Sequence, residues 1–385
     1  MKIAIIGGKL QGTEAVYLAK KAGFETILID RDAQVPASGL ADRFVCGDAV
    51  RRDAQVIAAM KEADFILPCN ENDALLDAIC QICEEEGLRL AFDPDAYSVT
   101  KSKAASDALM HENDIPSPRY YPQGRPPYII KPSGESGSAG VRRVESREEA
   151  EAFLAECRHP EEWIVQEYLE GPSYSVEVIG VPGNYRTYAV TQIHMDQVYD
   201  CCRVTAPYFV GEPKERRISE IARRLAELVG LHGIMDVEVI DDGEDMKVLE
   251  IDARLPSQTP IAVLTCSGMN YVRELADIFC AGEFQSKQAV PQGFSVYEHY
   301  RRVSGEDGQE DGQTDRTEIL QEGEHMMAEA GPLSLLTDFC GCQEVMTDYS
   351  GDTGPFRGIF ISWDETREGL EQRRQAVLEN LKLLP

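Results

Sequence analysis

Through its first hundred residues the chain alternates short apolar runs with helix-length patterns, and this alternation limits the fold more than any other feature. Lys2–Ile6 and Glu25–Asp30 read as buried strands with a helix over Thr13–Ala22 between them. Asp64–Pro68 and Leu88–Phe92 read as further strands flanking a helix over Asp73–Glu86. Parallel neighbours need a crossover and a helix supplies it, so the opening is an α/β unit around a parallel sheet. A helix is then expected from Thr100 to Asn113, stopped by Ile115-Pro116-Ser117-Pro118, because a residue before proline is pushed out of the helical region. After it the pattern changes to strands: Tyr128–Lys131, Val141–Val144, Trp163–Leu169, Tyr174–Ile179, Tyr185–Thr191, Ile234–Ile240 and Met246–Ile251, with one strong helix at Arg217–Val229. Such runs after an α/β opening indicate a second, α+β unit. Ser304–Glu318 (SGEDGQEDGQTDRTE) is polar, acidic and dotted with glycine, the composition of a flexible insertion, and the chain closes on an amphipathic helix over Glu365–Leu383.

The charge excludes whole classes of partner. Acidic residues number 67 against 38 basic ones, a formal charge of −29, and such a body is repelled by phosphate backbones and anionic headgroups. Nucleic acid and membranes are therefore not expected as partners. No apolar stretch reaches the roughly 18 residues of a bilayer span, and the N-terminus lacks a signal-peptide pattern. The 11 cysteines are scattered without metal-ligand spacing and read as reduced thiols, as in a cytoplasmic protein.

Three constellations carry chemistry. Gly7-Gly8-Lys9-Leu10-Gln11-Gly12 follows a strand and opens a helix, with Asp30 ending the next strand, the context of a dinucleotide fingerprint. Its middle glycine is Lys9, which works against a pyrophosphate approaching the backbone but leaves a helix N-terminus and a cation for a carboxylate or phosphate. Asn70-Glu71-Asn72 follows the strand ending at Pro68 and should share the same sheet edge, where such folds bind ligands. The second constellation is Lys131 at a strand end, followed by the glycine- and serine-rich Pro132–Gly140; it reads equally as an ordinary hairpin turn or as a phosphate cover. In the third, Asp236 and Glu238 alternate on one strand, Glu250 and Asp252 on the next, and Arg254 two residues on. Alternate residues share a sheet face. The bland reading is a solvated face; the functional one is that crowded carboxylates relieve their repulsion by holding a hard divalent cation such as Mg²⁺.

Thr100-Lys101-Ser102-Lys103, Tyr128–Gly140, Val165–Gly171 and Gly233–Pro260 occur in an order that resembles the ATP-grasp ligases. The glycine-rich turn, Asn70-Glu71-Asn72, Asp236-Val237-Glu238, Ile251–Pro260 and His194-Met195-Asp196 resemble more closely the ligase family of pyrrolysine biosynthesis. The likeness spans roughly residues 1–300. It implies an ATP-grasp fold, α/β plus α+β, with a Rossmann-like parallel-sheet domain over 1–95, an ATP-grasp domain over 96–290 with a lid at about 118–170, and a C-terminal domain over 291–385. It further implies that Lys103, Lys131, Ser133, Ser136 and Ser138 meet the phosphates of ATP, that Gln166, Glu167, Tyr168 and Leu169 form the hinge at adenine, and that Glu238, Glu250 and Asp252 bind Mg²⁺. Arg254 and Lys131 become the catalytic cations. Lys9, Leu10, Gln11, Glu71, Glu177, Asp236, Arg254, Ser257, Gln258 and Thr259 become the substrate contacts, and His194 and Asp196 shape the pocket. The implied reaction activates the carboxylate of (3R)-3-methyl-D-ornithine as an acyl phosphate and joins it to the ε-amine of L-lysine. Two alternatives stand beside it: a ligase of the same superfamily acting on another amino acid, and a nicotinamide-dependent oxidoreductase using Gly7–Gly12 and Asp30, which leaves the 236–254 cluster unexplained.

Overall fold

A computed structural model of the chain describes residues 1–133, 140–209, 211–304, 317–351 and 354–384. The opening alternation folds into a four-stranded parallel sheet in the order Arg43–Cys46, Glu25–Asp30, Lys2–Ile6, Phe65–Pro68. Helices Leu10–Lys21, Ala54–Lys61 and Asp73–Glu86 form the crossovers. Leu88–Phe92 departs from its expected strand: the segment pairs through one bridge, Leu90 to Ile66. Asp93 at once caps the helix Pro94–Thr100, and no length is left for a strand. The apolar patterning also leaves the Arg43–Cys46 strand unmarked, because an edge strand with no fully buried residue carries no apolar run.

The helix expected from Thr100 to Asn113 is two helices, Pro94–Thr100 and Lys103–Glu112. They separate at Ser102, whose hydroxyl accepts from the Ala105 amide at 3.3 Å and so starts the second helix as its N-cap. The break puts Lys103 in the first helical turn. Beyond it lies a three-stranded antiparallel sheet, Arg142–Val144, Tyr128–Pro132 and Trp163–Glu167. This small sheet docks on the Lys103 helix through Ser133, whose carbonyl accepts from the Lys103 amide at 3.3 Å and whose hydroxyl accepts from the Ala104 amide at 3.2 Å.

The remaining strands form one 11-stranded sheet. Its path runs Met246–Asp252, Gly233–Asp241, Ser173–Val181, Thr191–Met195, Cys201–Ala206, Phe294–Ser304, Phe356–Asp364, Glu344–Thr347, Ser334–Thr337. The single strand expected over Tyr185–Thr191 is replaced by Asn184–Thr187, which hairpins back on residues 178–181 of Ser173–Val181, and by Thr191–Met195, which pairs with residues 173–175 of the same edge, the opposite edge being taken by Gly233–Asp241. Helix Pro213–Val229 buries Ile218, Ile221, Ala222 and Leu225 against Val237 and Ile251 on one side of this sheet. Strands Phe294–Ser304 and Phe356–Asp364 are hydrogen-bonded continuations of the same sheet. The acidic stretch expected as a flexible insertion falls, over 305–316, outside the described residues; its flanks Ser304 and Thr317 are paired in a hairpin. All 11 cysteines are unpaired, and among the described residues no helix is long and apolar enough to cross a membrane.

Candidate active site

The register of three strands builds the site. Asp236 lies opposite Asp252 on one side and Glu177 on the other, and Glu238 lies opposite Glu250 and Ser175. Asp236, Glu238, Glu250 and Asp252 therefore share one face, while the intervening Val237 and Ile251 point into the core. That face is a wall of a cavity of about 710 Å³. The carboxylates are not balanced locally. Burial, then repulsion from Glu250, pushes the Glu238 carboxyl up to about 7. Burial raises Asp252 to about 6 even though Arg254 pulls the other way. Burial and the charges of Glu238 and Glu177 hold Asp236 well above the usual carboxylate range. Oδ1 of Asp252 is buried without a hydrogen-bond partner. A row of oxygen donors short of positive charge, one of them orphaned, fits a hard divalent cation.

Arg254 closes one end of this face. Its guanidinium pairs with Glu71 at 2.6 Å and with Asp252 at 2.7 Å. Burial disfavours its charge, but Asp252 and Glu71 more than compensate and keep it protonated. The Thr100 hydroxyl accepts from the Ala253 amide at 3.0 Å, fixing the strand end that carries the arginine. Glu71 comes from the parallel sheet, where Asn70 Nδ2 donates to the Ile6 carbonyl at 3.3 Å and Asn72 caps the following helix. The two polar loops at this sheet edge thus meet the carboxylate face across the cavity, and Lys9, Leu10 and Gln11 line it with them. In the glycine turn a Cβ at Gly12 would stand 2.0 Å from the Gly7 carbonyl oxygen, so helix and strand approach as closely as a glycine permits. Asp30 accepts from the Gly8 amide at 2.7 Å and caps the turn from within the protein.

Lys103 reaches the face from the other side, with its ammonium 2.9 Å from Glu250. Lys131, 8% exposed, is lowered by burial although Glu250 and Asp107 favour its charge. Ser133 joins them through the Lys103 helix; Ser136 and Ser138 lie outside the described residues. Gln166 and Glu167 end a strand of the small sheet, Tyr168 stacks under the Arg143 guanidinium at 4.3 Å, and Leu169 follows. These residues, expected to form the hinge at adenine, do not line the cavity. Glu177 does not line it either: it is fully buried, and its carboxylate accepts from the Tyr271 hydroxyl at 2.6 Å. His194 is turned toward Arg203, 2.8 Å from its Nδ1, and Asp196 spends its oxygens on backbone amides, among them Val198 at 2.8 Å and Gly323 at 3.0 Å.

Ser257, Gln258 and Thr259 form the floor and lead into helix Thr259–Ser267. Gln258 adopts φ +74°, a conformation that a non-glycine residue holds only when its surroundings impose it. Two glutamates outside the sequence-derived set impose it here. Glu14, fully buried, accepts from the Ile261 amide at 2.8 Å, and Glu324 accepts from the Ser257 hydroxyl and from Gln258 Nε2, each at 3.0 Å. Glu14 stands directly before the run Ala15-Val16-Tyr17-Leu18-Ala19 of its helix, a signal present in the sequence. Glu324 carries none, because it is brought in from a distant segment, the start of the short 3-10 helix Glu324–Glu329.

This geometry can be set beside known proteins. A family model for the ATP-grasp domain matches residues 101–258. The 3-methyl-D-ornithine–L-lysine ligase of Methanosarcina acetivorans is 38% identical over 297 residues, 77% of this chain and 78% of that one. That of Methanosarcina barkeri is 35% identical over 307 residues, 80% of each. The chain belongs to the 3-methyl-D-ornithine–L-lysine ligase family. Its fold is the ATP-grasp fold with a parallel-sheet N-terminal domain. Solved structures share it at low identity: the biotin carboxylase domain of Hydrogenobacter thermophilus 2-oxoglutarate carboxylase, in complex with MgADP, ADP and bicarbonate, superposes with TM-score 0.73 at 15% identity over 98% of this chain and 89% of that one. An L-amino acid ligase from Bacillus licheniformis gives 0.67 at 15% identity over 98% and 97%. Family membership removes the oxidoreductase alternative and agrees with a glycine turn whose acidic partner, Asp30, is occupied by Gly8.

Proposed function

We propose that the chain joins the carboxylate of (3R)-3-methyl-D-ornithine to the ε-amine of L-lysine, consuming ATP and releasing ADP and phosphate. The observation that carries this reading is the register-paired carboxylate face with Arg254 at one end and Lys103 at the other, in a chain of this family. A carboxylate at neutral pH is a poor electrophile, so its oxygen first attacks the γ-phosphate of ATP; the amine then displaces phosphate from the acyl phosphate. Lys103, Lys131 and Ser133 hold the phosphates, and Gln166–Leu169 takes the adenine. Glu238, Glu250 and Asp252 hold Mg²⁺, which when bound supplies divalent charge against the phosphate oxygens. Arg254, fixed by two carboxylates, faces the oxyanion formed as the amine attacks, a cation already oriented before charge develops. Both amino acids carry ammonium groups, for which Glu71 and Asp236 are the anionic partners on the cavity wall; Lys9, Leu10, Gln11, Ser257, Gln258 and Thr259 take their backbone ends. Glu177, behind Asp236, orients that wall rather than touching substrate.

Incubation with ATP, Mg²⁺, 3-methyl-D-ornithine and L-lysine, read by mass spectrometry, should give the amide with one ADP formed per bond. ATP turnover that ignores both amino acids would overturn the substrate assignment, and no nucleotide turnover with any amino acid would overturn the ligase reading.

A further inference from the structure

Apart from the catalytic cavity the chain holds a second one, of about 510 Å³, between helix Lys103–Glu112 and the small sheet. Its origin lies in the helix: Ala104 and Ala108, one turn apart, both line it and are too small to fill the space before the sheet. The sheet's side is aromatic. Tyr120, bridged to Gln166 at the sheet edge, lines it together with Trp163, whose ring is backed edge-on by Phe153 at 4.9 Å between centroids. One acid lines the cavity, Asp107, only 8% exposed. Burial raises its carboxyl above the usual range, against the Tyr120 hydroxyl and the Lys131 charge, which favour ionisation. Neither Asp107 Oδ2 nor the Tyr120 hydroxyl has a hydrogen-bond partner of good geometry among the described residues. The nearby ammonium groups are directed elsewhere, Lys103 to Glu250 at 2.9 Å and Lys131 to the Leu249 carbonyl at 3.5 Å. A buried carboxylate and hydroxyl without donors carry a desolvation cost that a bound donor relieves. None of the described residues expected at ATP lines this cavity.

We infer that this cavity is a second ligand site, which takes a primary amine carrying a flat apolar body. The ammonium donates to Asp107 Oδ2 and to the Tyr120 hydroxyl oxygen, a charge-assisted pair of bonds to buried acceptors. The body lies between the two alanines and the Trp163 ring. An arylalkylamine meets both demands. A diamino acid does not, because its second ammonium and its carboxylate would be set against Trp163, Ile164 and Val165 without partners. The occupant touches the helix that begins at Lys103 and the sheet that carries Lys131, and so bridges the two elements that present those lysines. The site does not depend on the ligation proposed above.

The test is titration of the full chain with phenethylamine, read by the fluorescence of Trp163. The chain has 2 tryptophans, so a Trp363→Phe background leaves Trp163 as the sole reporter. The amine should change that fluorescence saturably. Asp107→Asn should weaken binding at least ~10-fold, the fold-change of a lost charge-assisted bond, and phenethyl alcohol, which keeps the ring but lacks the charge, should bind the parent at least ~10-fold more weakly than the amine does. Ala108→Leu, at an exposed helix position that tolerates leucine, should fill the cavity and abolish binding; it covers the case in which Asp107→Asn does not fold. No saturable change in the parent, binding of the alcohol as tight as that of the amine, or an unchanged affinity in Asp107→Asn each overturns the inference. So does binding that survives in Ala108→Leu, which would put the amine elsewhere, such as on the carboxylate face. Because the readout needs no turnover, a parent that binds phenethylamine but forms no amide would fail the proposed function and leave this site standing.

Discussion

Two arginines, Arg374 buried and Arg254 half-buried, make the same kind of contact for opposite ends. Arg374, on helix Arg367–Leu383, pairs with Glu298 of the large sheet in a fork: Nε to Oε2 at 2.9 Å and Nη2 to Oε1 at 2.6 Å. Glu371 takes a third nitrogen at 2.5 Å, and Gln321 donates to Glu298 at 2.9 Å. Every charged group there has its partner, and the result is an anchor for the C-terminal helix. Arg254 instead divides itself between Glu71 and Asp252 and leaves an orphaned oxygen on Asp252, with Asp236, Glu238 and Glu250 close by. Here carboxylates outnumber the cations Arg254 and Lys103. Closed hydrogen bonding makes a guanidinium–carboxylate pair a structural fastener; open hydrogen bonding makes it a site awaiting a ligand.

The contrast can be broken at either arginine's neighbourhood. Glu250→Ala should lower turnover by at least ~10³-fold, the several kcal/mol that an oriented metal contributes, while far-ultraviolet circular dichroism and the melting temperature stay at or above those of the parent, because a like charge has left a repelling row. A rate within tenfold of the parent would remove Glu250 from the metal site. Arg374→Ala should do the reverse. It strands a carboxylate that is 3% exposed and should cost about 3 kcal/mol of stability in urea unfolding, with kcat of the folded fraction unchanged.

What was legible in the sequence follows the same division. The alternation Asp236/Glu238 and Glu250/Asp252 was readable because side-chain direction in a strand is set by parity, and the register then paired them as the spacing implied. The parallel sheet was readable from its continuous apolar strands. The hidden parts are those in which remote segments meet. Glu324 begins the short 3-10 helix Glu324–Glu329, which the sequence does not mark, and the clamp of its flanking amides by Asp196 and Asp200 brings it to the floor. Glu177 and His194 have residue types that suit a substrate pocket, yet their bonds to Tyr271 and Arg203 turn them inward, which strand parity alone does not reveal. The split at Ser102 was missed because the pattern on both sides is helical; the capping hydroxyl is what brings Lys103 to Glu250.

The central claim is that the carboxylate face is a metal site held open, and the metal-induced change in melting temperature at two pH values tests it most directly. Glu238 at about 7 and Asp252 at about 6 both lie above their ordinary values of 4.5 and 3.8, so the metal-free native state takes up protons. Its stability is fully present below about pH 4 and is lost as pH rises through 6 and 7. Mg²⁺ held on the deprotonated face would offset that loss. The melting temperature of the parent should rise with millimolar Mg²⁺ more at pH 8 than at pH 5.5, by on the order of 1 kcal/mol in stability, and the Glu250→Ala variant should show little rise at either pH. A rise that is equal at both pH values, or that survives in the variant, would contradict the account.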